Sequence, residues 1–200
     1  MIRQFSDALQ MDEGGKLLEQ SFIEAHRHFE TKPEGNIHRI MWEGNFIPGM
    51  ATLVKRDCFT QAGLYDETLF YEDWDMWLRI SRSFEFAYSN EVSAKYRLVT
   101  TSMVRSQYDR MLEAMCKICL KHLREGKLDR EARHLAVSQL ESKALACFRR
   151  KTPEHKRYLL RALRYGPSAG VLAGCLFAWS GLGFDRYART HAFFRGRSSN

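Results

Sequence analysis

The chain has 200 residues, of which 44% are hydrophobic, 28% are charged and 4 are proline, so it can form one domain with a buried core, alone or with an appendage. This composition excludes a disordered or a fibrous chain. The net charge of +7 is unevenly divided, because residues 1–100 carry 11 basic and 16 acidic side chains whereas residues 101–200 carry 20 and 8.

The basic second half has three interpretations: a nucleic-acid partner, an anionic bilayer surface, or solvated helix faces. Its charges lie at helical spacing, and the chain has no recognised nucleic-acid-binding motif, so we expect no nucleic acid among its partners. Five scattered cysteines, an odd number, and the polar residues that soon follow Met1 predict a reducing, cytoplasmic location.

In chain order, the first half predicts short strands and helices. Residues 5–16 predict a strand that ends in a turn at the Asp-Glu-Gly-Gly sequence, and residues 16–32 show partial helical spacing. The elements predicted after these are a short helix at 37–43, a strand at 50–56, a short helix that Asp57 caps and Gly63 ends, a helix at 72–83, and strands at 84–88 and 93–97.

From Ser102 onward the pattern changes to helices, which are predicted over residues 103–125, 129–149 and 153–165. Asp129 and Thr152 have side chains that suit the N-caps of the second and third of these helices. Cys116 and Cys119 have the spacing of a metal or redox pair, but they lie within a helix and lack a second pair, so we interpret them as buried thiols.

An uncharged stretch of twenty residues, 165–184, follows these helices. Its glycines at 166, 170 and 174 have the spacing of a packed membrane helix. Pro167 and the many glycines and serines dilute its hydrophobicity, which predicts a buried or interfacial segment rather than a bilayer-spanning helix. Because basic helices flank it, we expect peripheral attachment to an anionic membrane, at the inner face of the cell membrane.

Glu72, Asp73 and Asp75 lie in the first turn of the helix predicted at 72–83. The positive end of a helix dipole and its free backbone N–H groups favour carboxylates there, so a well-capped helix explains these acids without any function. The same segment, residues 71–79 with the sequence YEDWDMWLR, nevertheless resembles the E-D-W-D-x-W-x-R motif of family 2 glycosyltransferases.

Further segments resemble the same family over residues 5 to about 102. They are Ser6-Asp7-Ala8-Leu9 with Gly14, Gly44-Asn45-Phe46-Ile47-Pro48 with Lys55-Arg56, Ala62-Gly63-Leu64-Tyr65-Asp66-Glu67, and Tyr96-Arg97 with Thr101-Ser102. Val99 stands where the family often has histidine. The resemblance implies an α/β fold, part of a GT-A-like mixed sheet with helices, in residues 1–102, then a helical extension in 103–165 and an apolar segment with a basic tail in 166–200.

The resemblance also implies an inverting transfer of a sugar from a nucleotide-sugar donor to a hydroxyl acceptor, in cell-surface polysaccharide or glycolipid synthesis. Asp73 would be the catalytic base, and Glu72 would orient the base or the acceptor. Trp74, Asn45 and Arg97 would bind the acceptor, and Arg79 would brace the helix. Trp74 and Trp77 would form the wall of the acceptor pocket or the core below it.

Family members place a nucleotide-binding half with a D-x-D metal motif first, and no such motif precedes residue 5. Asp73-Trp74-Asp75 spells D-x-D but belongs to the helix motif. We therefore expect the chain to be a fragment, the product of a mis-started reading frame or a relic, and to be inactive alone. Divalent Mg or Mn would be needed only by the full-length enzyme and not bound by this chain. The alternative is a non-catalytic helical adaptor, or a membrane-docking remnant of such an enzyme.

Overall fold

A computed structural model describes residues 3–102 and 106–189, with the backbone alone for Arg3. The start of the helix predicted at 103 lies outside the described residues. The chain divides into two compact units, Met1–Gln107 and Tyr108–Asn200, where the sequence predicts three segments. The first unit is a mixed α/β structure with a four-stranded sheet, and the second is helical.

The sheet of the first unit is built around its first strand. The strands are β1 (Arg3–Met11), β2 (Leu17–Ser21), β3 (Thr52–Val54) and β4 (Ala87–Arg97). Strand β4 runs parallel to β1 along one edge. On the other edge, β3 pairs antiparallel with the start of β1 and β2 pairs antiparallel with its end.

Strand β1 contributes buried residues to the core of this unit. Phe5 and Ala8 are completely buried, and the ring of Phe5 makes edge contacts with Phe46, Phe86 and Tyr88. Such aromatic contacts add to the free energy gained by burying the rings. The central strand therefore contacts rings from two separate segments of the chain, one with Phe46 and the other with Phe86 and Tyr88.

The helices of the first unit are α1 (Phe22–His26), α2 (His38–Glu43), a 3₁₀ turn (Gly49–Ala51), α3 (Arg56–Ala62) and α4 (Glu72–Ser81). Helices α2 and α4 confirm the helices predicted at 37–43 and 72–83. Asp57 was expected to cap α3, but it lies in the first turn and Lys55 holds the N-cap position. The predicted end of this helix at Gly63 is confirmed.

Two predictions from periodicity were wrong in detail. The segment expected to be one helix over 16–32 is the strand β2 followed by a single helical turn. The turn before it places Leu17 opposite Met11 on the sheet, and Ser21 forms a capping box with Glu24 that starts the helix only there. The two strands expected at 84–88 and 93–97 are one strand, β4, whose register shifts opposite Ser6 and Ala8.

The second unit contains α5 (Tyr108–Glu125), α6 (Arg130–Arg150), α7 (His155–Tyr165) and α8 (Ala169–Ser180), and residues 183–189 are also helical. The N-cap predicted at Asp129 is confirmed, since its carboxylate accepts the N–H of Ala132 at 2.8 Å. Thr152 was expected to cap α7, but Glu154 holds that position. Lys151 ends α6 in the left-handed region, with φ of 56°.

The core of the second unit includes small residues at close approaches between helices. A Cβ added to Gly174 of α8 would lie 2.9 Å from Leu145 and 3.3 Å from Leu159, so α8 packs closely against the neighbouring helices. Cys116 and Cys147 are buried with their sulfur atoms 4.0 Å apart. Among residues 3–102 and 106–189, no helix has both the length and the apolar character needed to cross a bilayer.

Candidate functional site

A pocket opens at the start of α4, in the first unit. Its volume is about 410 Å³, and the residues that line it are Tyr65, Glu67, Leu69, Glu72 and Asp73. The loop between α3 and α4 therefore forms one wall, and the first turn of α4 carries the two carboxylates.

The loop that forms this wall is shaped by its own side chains. The carboxylate of Asp66 accepts hydrogen bonds from the backbone N–H of Thr68, at 3.2 Å, and from its hydroxyl, at 2.6 Å. Leu69 is 8% exposed and anchors the loop to the core. This local turn leads the chain into α4 with Glu72 and Asp73 facing the pocket.

Asp73 lies against the backbone of the 3₁₀ turn. A Cβ placed on Gly49 would be 2.9 Å from Oδ2 of Asp73, so only glycine allows the carboxylate to sit this close. The φ of Gly49 is outside the left-handed region, which means that space, not backbone conformation, requires glycine here. Partial burial, and then the charge of Glu72, raise the pKa of Asp73 above its ordinary value.

Two tyrosines surround the acidic pair. Burial raises the pKa of Tyr71 to about 12, with a further contribution from the charge of Asp73, while a hydrogen bond with the Asn45 side chain opposes the shift. Burial and the charges of Asp73 and Glu72 also raise the pKa of Tyr65. Both phenols therefore stay protonated at neutral pH, as polar groups beside the carboxylates.

Arg79 connects α4 to the loop that carries Tyr65. Its Nε donates to the fully buried carboxylate of Asp75 at 2.8 Å, one turn earlier on the same helix. The rest of the guanidinium donates to the carbonyl oxygens of Ala62 and Leu64, the second at 2.9 Å. Arg79 therefore braces the helix against the pocket wall, which is the role that the resemblance implies.

The structure brings together three of the five residues predicted for the site. Glu72 and Asp73 line the pocket, and Asn45 contacts Tyr71 directly before them. Trp74, expected to bind an acceptor, is 2% exposed and donates from Nε1 to the carbonyl of Met41 at 2.8 Å. The indole belongs to the core, because the first turn of a helix directs neighbouring residues to different faces.

Arg97, also expected to bind an acceptor, lies elsewhere. It pairs with Met11 at the end of β1, whereas the 3₁₀ turn beside Asp73 leads into β3 at the start of β1. Its guanidinium donates to the carbonyl oxygens of Asp12 and Glu13 at 3.3 and 2.8 Å. It therefore stabilises the β1–β2 turn.

Four residues of the site were not predicted from the sequence: Gly49, Tyr65, Leu69 and Tyr71. Tyr65 and Glu67 lie within one of the segments that carry the resemblance, which was a usable signal for the pocket wall. The approach of Gly49 to Asp73 joins residues far apart in the chain, and no local pattern shows it.

Within the described residues, 3–102 and 106–189, no three or more His, Cys, Asp or Glu side chains are grouped so that they could hold a metal ion. Comparison with protein-family models, with curated proteins and with solved structures finds no match to this chain.

Proposed function

We propose that this chain is the acceptor-side part of a glycosyltransferase similar to family 2, and that Asp73 is its general base. The observation that carries the proposal is the position of Asp73: a partly buried carboxylate that lines an open pocket, is packed on Gly49, and has a raised pKa. A group with these properties is accessible to a substrate and is poised to take a proton.

In the proposed reaction an acceptor hydroxyl enters the pocket and gives its proton to the carboxylate of Asp73. The hydroxyl oxygen forms a bond to the anomeric carbon of the donor sugar, and the bond from that carbon to the diphosphate oxygen breaks on the opposite face. The electron pair leaves with the nucleoside diphosphate, so the configuration inverts. These steps are written for the side chains of the pocket alone.

The other residues of the pocket have supporting roles in this proposal. Glu72 raises the pKa of Asp73 and can accept a hydrogen bond from a second acceptor hydroxyl, while Tyr65 offers a phenol of the kind that binds sugars through both its ring and its O–H. Asn45 acts as a positioning residue, since it holds Tyr71 at the start of the acidic turn.

The test is sugar transfer by the protein expressed from the complete reading frame that encodes this chain, with a panel of nucleotide sugars. Asp73→Asn keeps the shape of the side chain and removes the base, so we expect the transfer rate to fall by about 10²–10⁴-fold while acceptor binding is retained. The matched control is Asp57→Asn, at an exposed acid in the first turn of α3, which should transfer at the wild-type rate.

Because the pKa of Asp73 is raised, the wild-type rate should increase with pH through a value above 3.8, the ordinary pKa of this carboxyl. A wild-type rate in Asp73→Asn would reject the base. A protein that transfers no sugar from any donor, and binds no saccharide, would favour the non-catalytic adaptor instead.

A further inference from the structure

Helix α8 presents an apolar face to solvent in the second unit. Leu172, Leu176 and Trp179 are 50%, 64% and 50% exposed, and their spacing of four and three residues places them on one face. An adjoining face, with Val171 and Ala178, is buried against the neighbouring helices. Large apolar side chains exposed together on one helix face indicate an interaction surface.

Helix α7 extends this face and gives it positive charge. The Nζ of Lys156 lies 5.6 Å from the ring centroid of Trp179, so the start of α7 lies beside the end of α8. One turn further along α7, Leu160 is 51% exposed. We call the surface formed by these side chains the α7–α8 face; its members are Lys156, Leu160, Leu172, Leu176 and Trp179.

The charges around the α7–α8 face are mainly basic. Helix α8 has no charged residue, and α7 adds the exposed side chains of Arg157 and Arg164 to Lys156. Glu154, the acidic residue next to α7, is paired with Arg157 at 3.0 Å. An apolar face with a tryptophan at its edge and cations beside it is complementary to the interface of an anionic bilayer, where indole rings and basic side chains both bind favourably.

We propose that the α7–α8 face docks this protein peripherally on the surface of an anionic phospholipid bilayer. At about 1.5 Å per residue α8 is roughly 18 Å long, which is shorter than the apolar thickness of about 30 Å, so it lies on the bilayer and does not cross it. A second copy of the chain fits less well, because a two-fold contact through this face would bring its cations towards their own copies.

The experiment is co-sedimentation of the full chain with two kinds of vesicle, phosphatidylcholine alone and equal parts of phosphatidylcholine and phosphatidylglycerol. Binding is expected only to the anionic vesicles, with release by high salt, because surface charges are screened. Leu176→Asp should weaken binding by about tenfold. The double variant Lys156→Gln with Arg164→Gln should weaken it by about twenty-five-fold, at about fivefold for each charge.

The matched control is Leu64→Asp, which places the same charge at a leucine of the first unit that is 76% exposed. It should bind as the wild type does. Circular dichroism checks that each variant is folded. If Leu176→Asp is unfolded, the vesicle binding of the double variant Lys156→Gln with Arg164→Gln tests the proposal.

Any of four results with vesicles would overturn the proposal: no pelleting with anionic vesicles, equal pelleting with both kinds, binding that resists both salt and alkaline carbonate, or equal loss in the control. Self-association without vesicles that Leu176→Asp abolishes would overturn it too, in favour of a second copy.

Discussion

Replacing Arg79 by methionine should destabilise the first unit strongly. The substitution keeps an unbranched apolar stem, but it removes the guanidinium that forms an ion pair with the carboxylate of Asp75, which is 0% exposed. Removing one member of a buried ion pair costs about 3–5 kcal/mol of unfolding free energy. The carbonyl oxygens of Ala62 and Leu64 lose a donor as well, so the pocket wall should loosen with the helix.

Urea denaturation followed by tryptophan fluorescence measures this loss. Three of the four tryptophans, Trp42, Trp74 and Trp77, are buried in the first unit, so the signal reports mainly on that unit. With a slope of about 2 kcal/mol per molar urea, the midpoint should fall by about 2 M. Saccharide binding at the Asp73 pocket should weaken in the same variant.

Two further variants separate the ion pair from the other contacts of Arg79. Arg79→Lys keeps the charge and loses the planar fork, so its loss should be intermediate. Asp75→Leu combined with Arg79→Met removes both charges, and it should be more stable than Arg79→Met alone because the buried carboxylate is removed together with the guanidinium. A loss below about 1 kcal/mol in Arg79→Met, or a double variant that is less stable than Arg79→Met, would refute this reasoning.

Three other predictions concern the carboxylate, the glycine beneath it and the thiols. Burial raises the pKa of Asp73, so the folded state binds the proton of this carboxyl more tightly than the unfolded chain does. The protonated carboxyl therefore contributes stability to the fold below pH 3.8, the ordinary pKa. This contribution is lost as the pH rises through the higher pKa of the folded state. Asp73→Asn should therefore be more stable than the wild type at neutral pH and lose this advantage in acid; thermal unfolding at several pH values checks this, and an advantage independent of pH would contradict it. Gly49→Ala should displace Asp73, lower the transfer rate and cost about 1–3 kcal/mol of stability. The control Gly14→Ala should do neither, because the nearest atom to its added Cβ would be 3.4 Å away, and equal transfer rates in the two variants would contradict the close contact. All five cysteines are buried, and burial raises the pKa of Cys119 to about 12. A thiol reagent should therefore react slowly with the folded protein and should modify all five thiols in denaturant, and a rapid reaction of the folded protein would contradict this packing.

Local signals predicted most of the elements but not all of their boundaries. The N-cap at Asp129 and the helix end at Gly63 depend on one side chain or one glycine, and both are found in the structure. The strand at Leu17–Ser21 was predicted as helix, because its apolar spacing is ambiguous and its pairing with β1 is a tertiary interaction. The spacing of apolar residues alone could not show whether this segment would form a helix or a strand paired with β1.

Local sequence signals likewise predicted part of the candidate site, and the rest depends on contacts between distant segments of the chain. The acids at 72 and 73 are visible as a helix-start motif, and the structure places both in a pocket. Trp74 and Arg97 were assigned to an acceptor by resemblance alone. The Trp74 indole is buried and donates to the carbonyl of Met41, and the exposed Arg97 guanidinium donates to backbone carbonyls of the β1–β2 turn. The contact of Gly49 with Asp73 depends on how distant segments fold together, so the sequence offered no signal for it.

The measurement that tests the central claim most directly is an amide NMR titration of the 200-residue chain with hexoses, N-acetylhexosamines and short oligosaccharides. If the pocket at the start of α4 binds a hydroxyl acceptor, at least one sugar should shift the resonances of Tyr65, Leu69 and Asp73 in a saturable way, and Glu72→Gln should weaken that response. The resonances around Arg97 should not move. Absence of saturable shifts at the pocket with every sugar, or shifts confined to the turn beside Arg97, would contradict the assignment of Asp73 to an acceptor site.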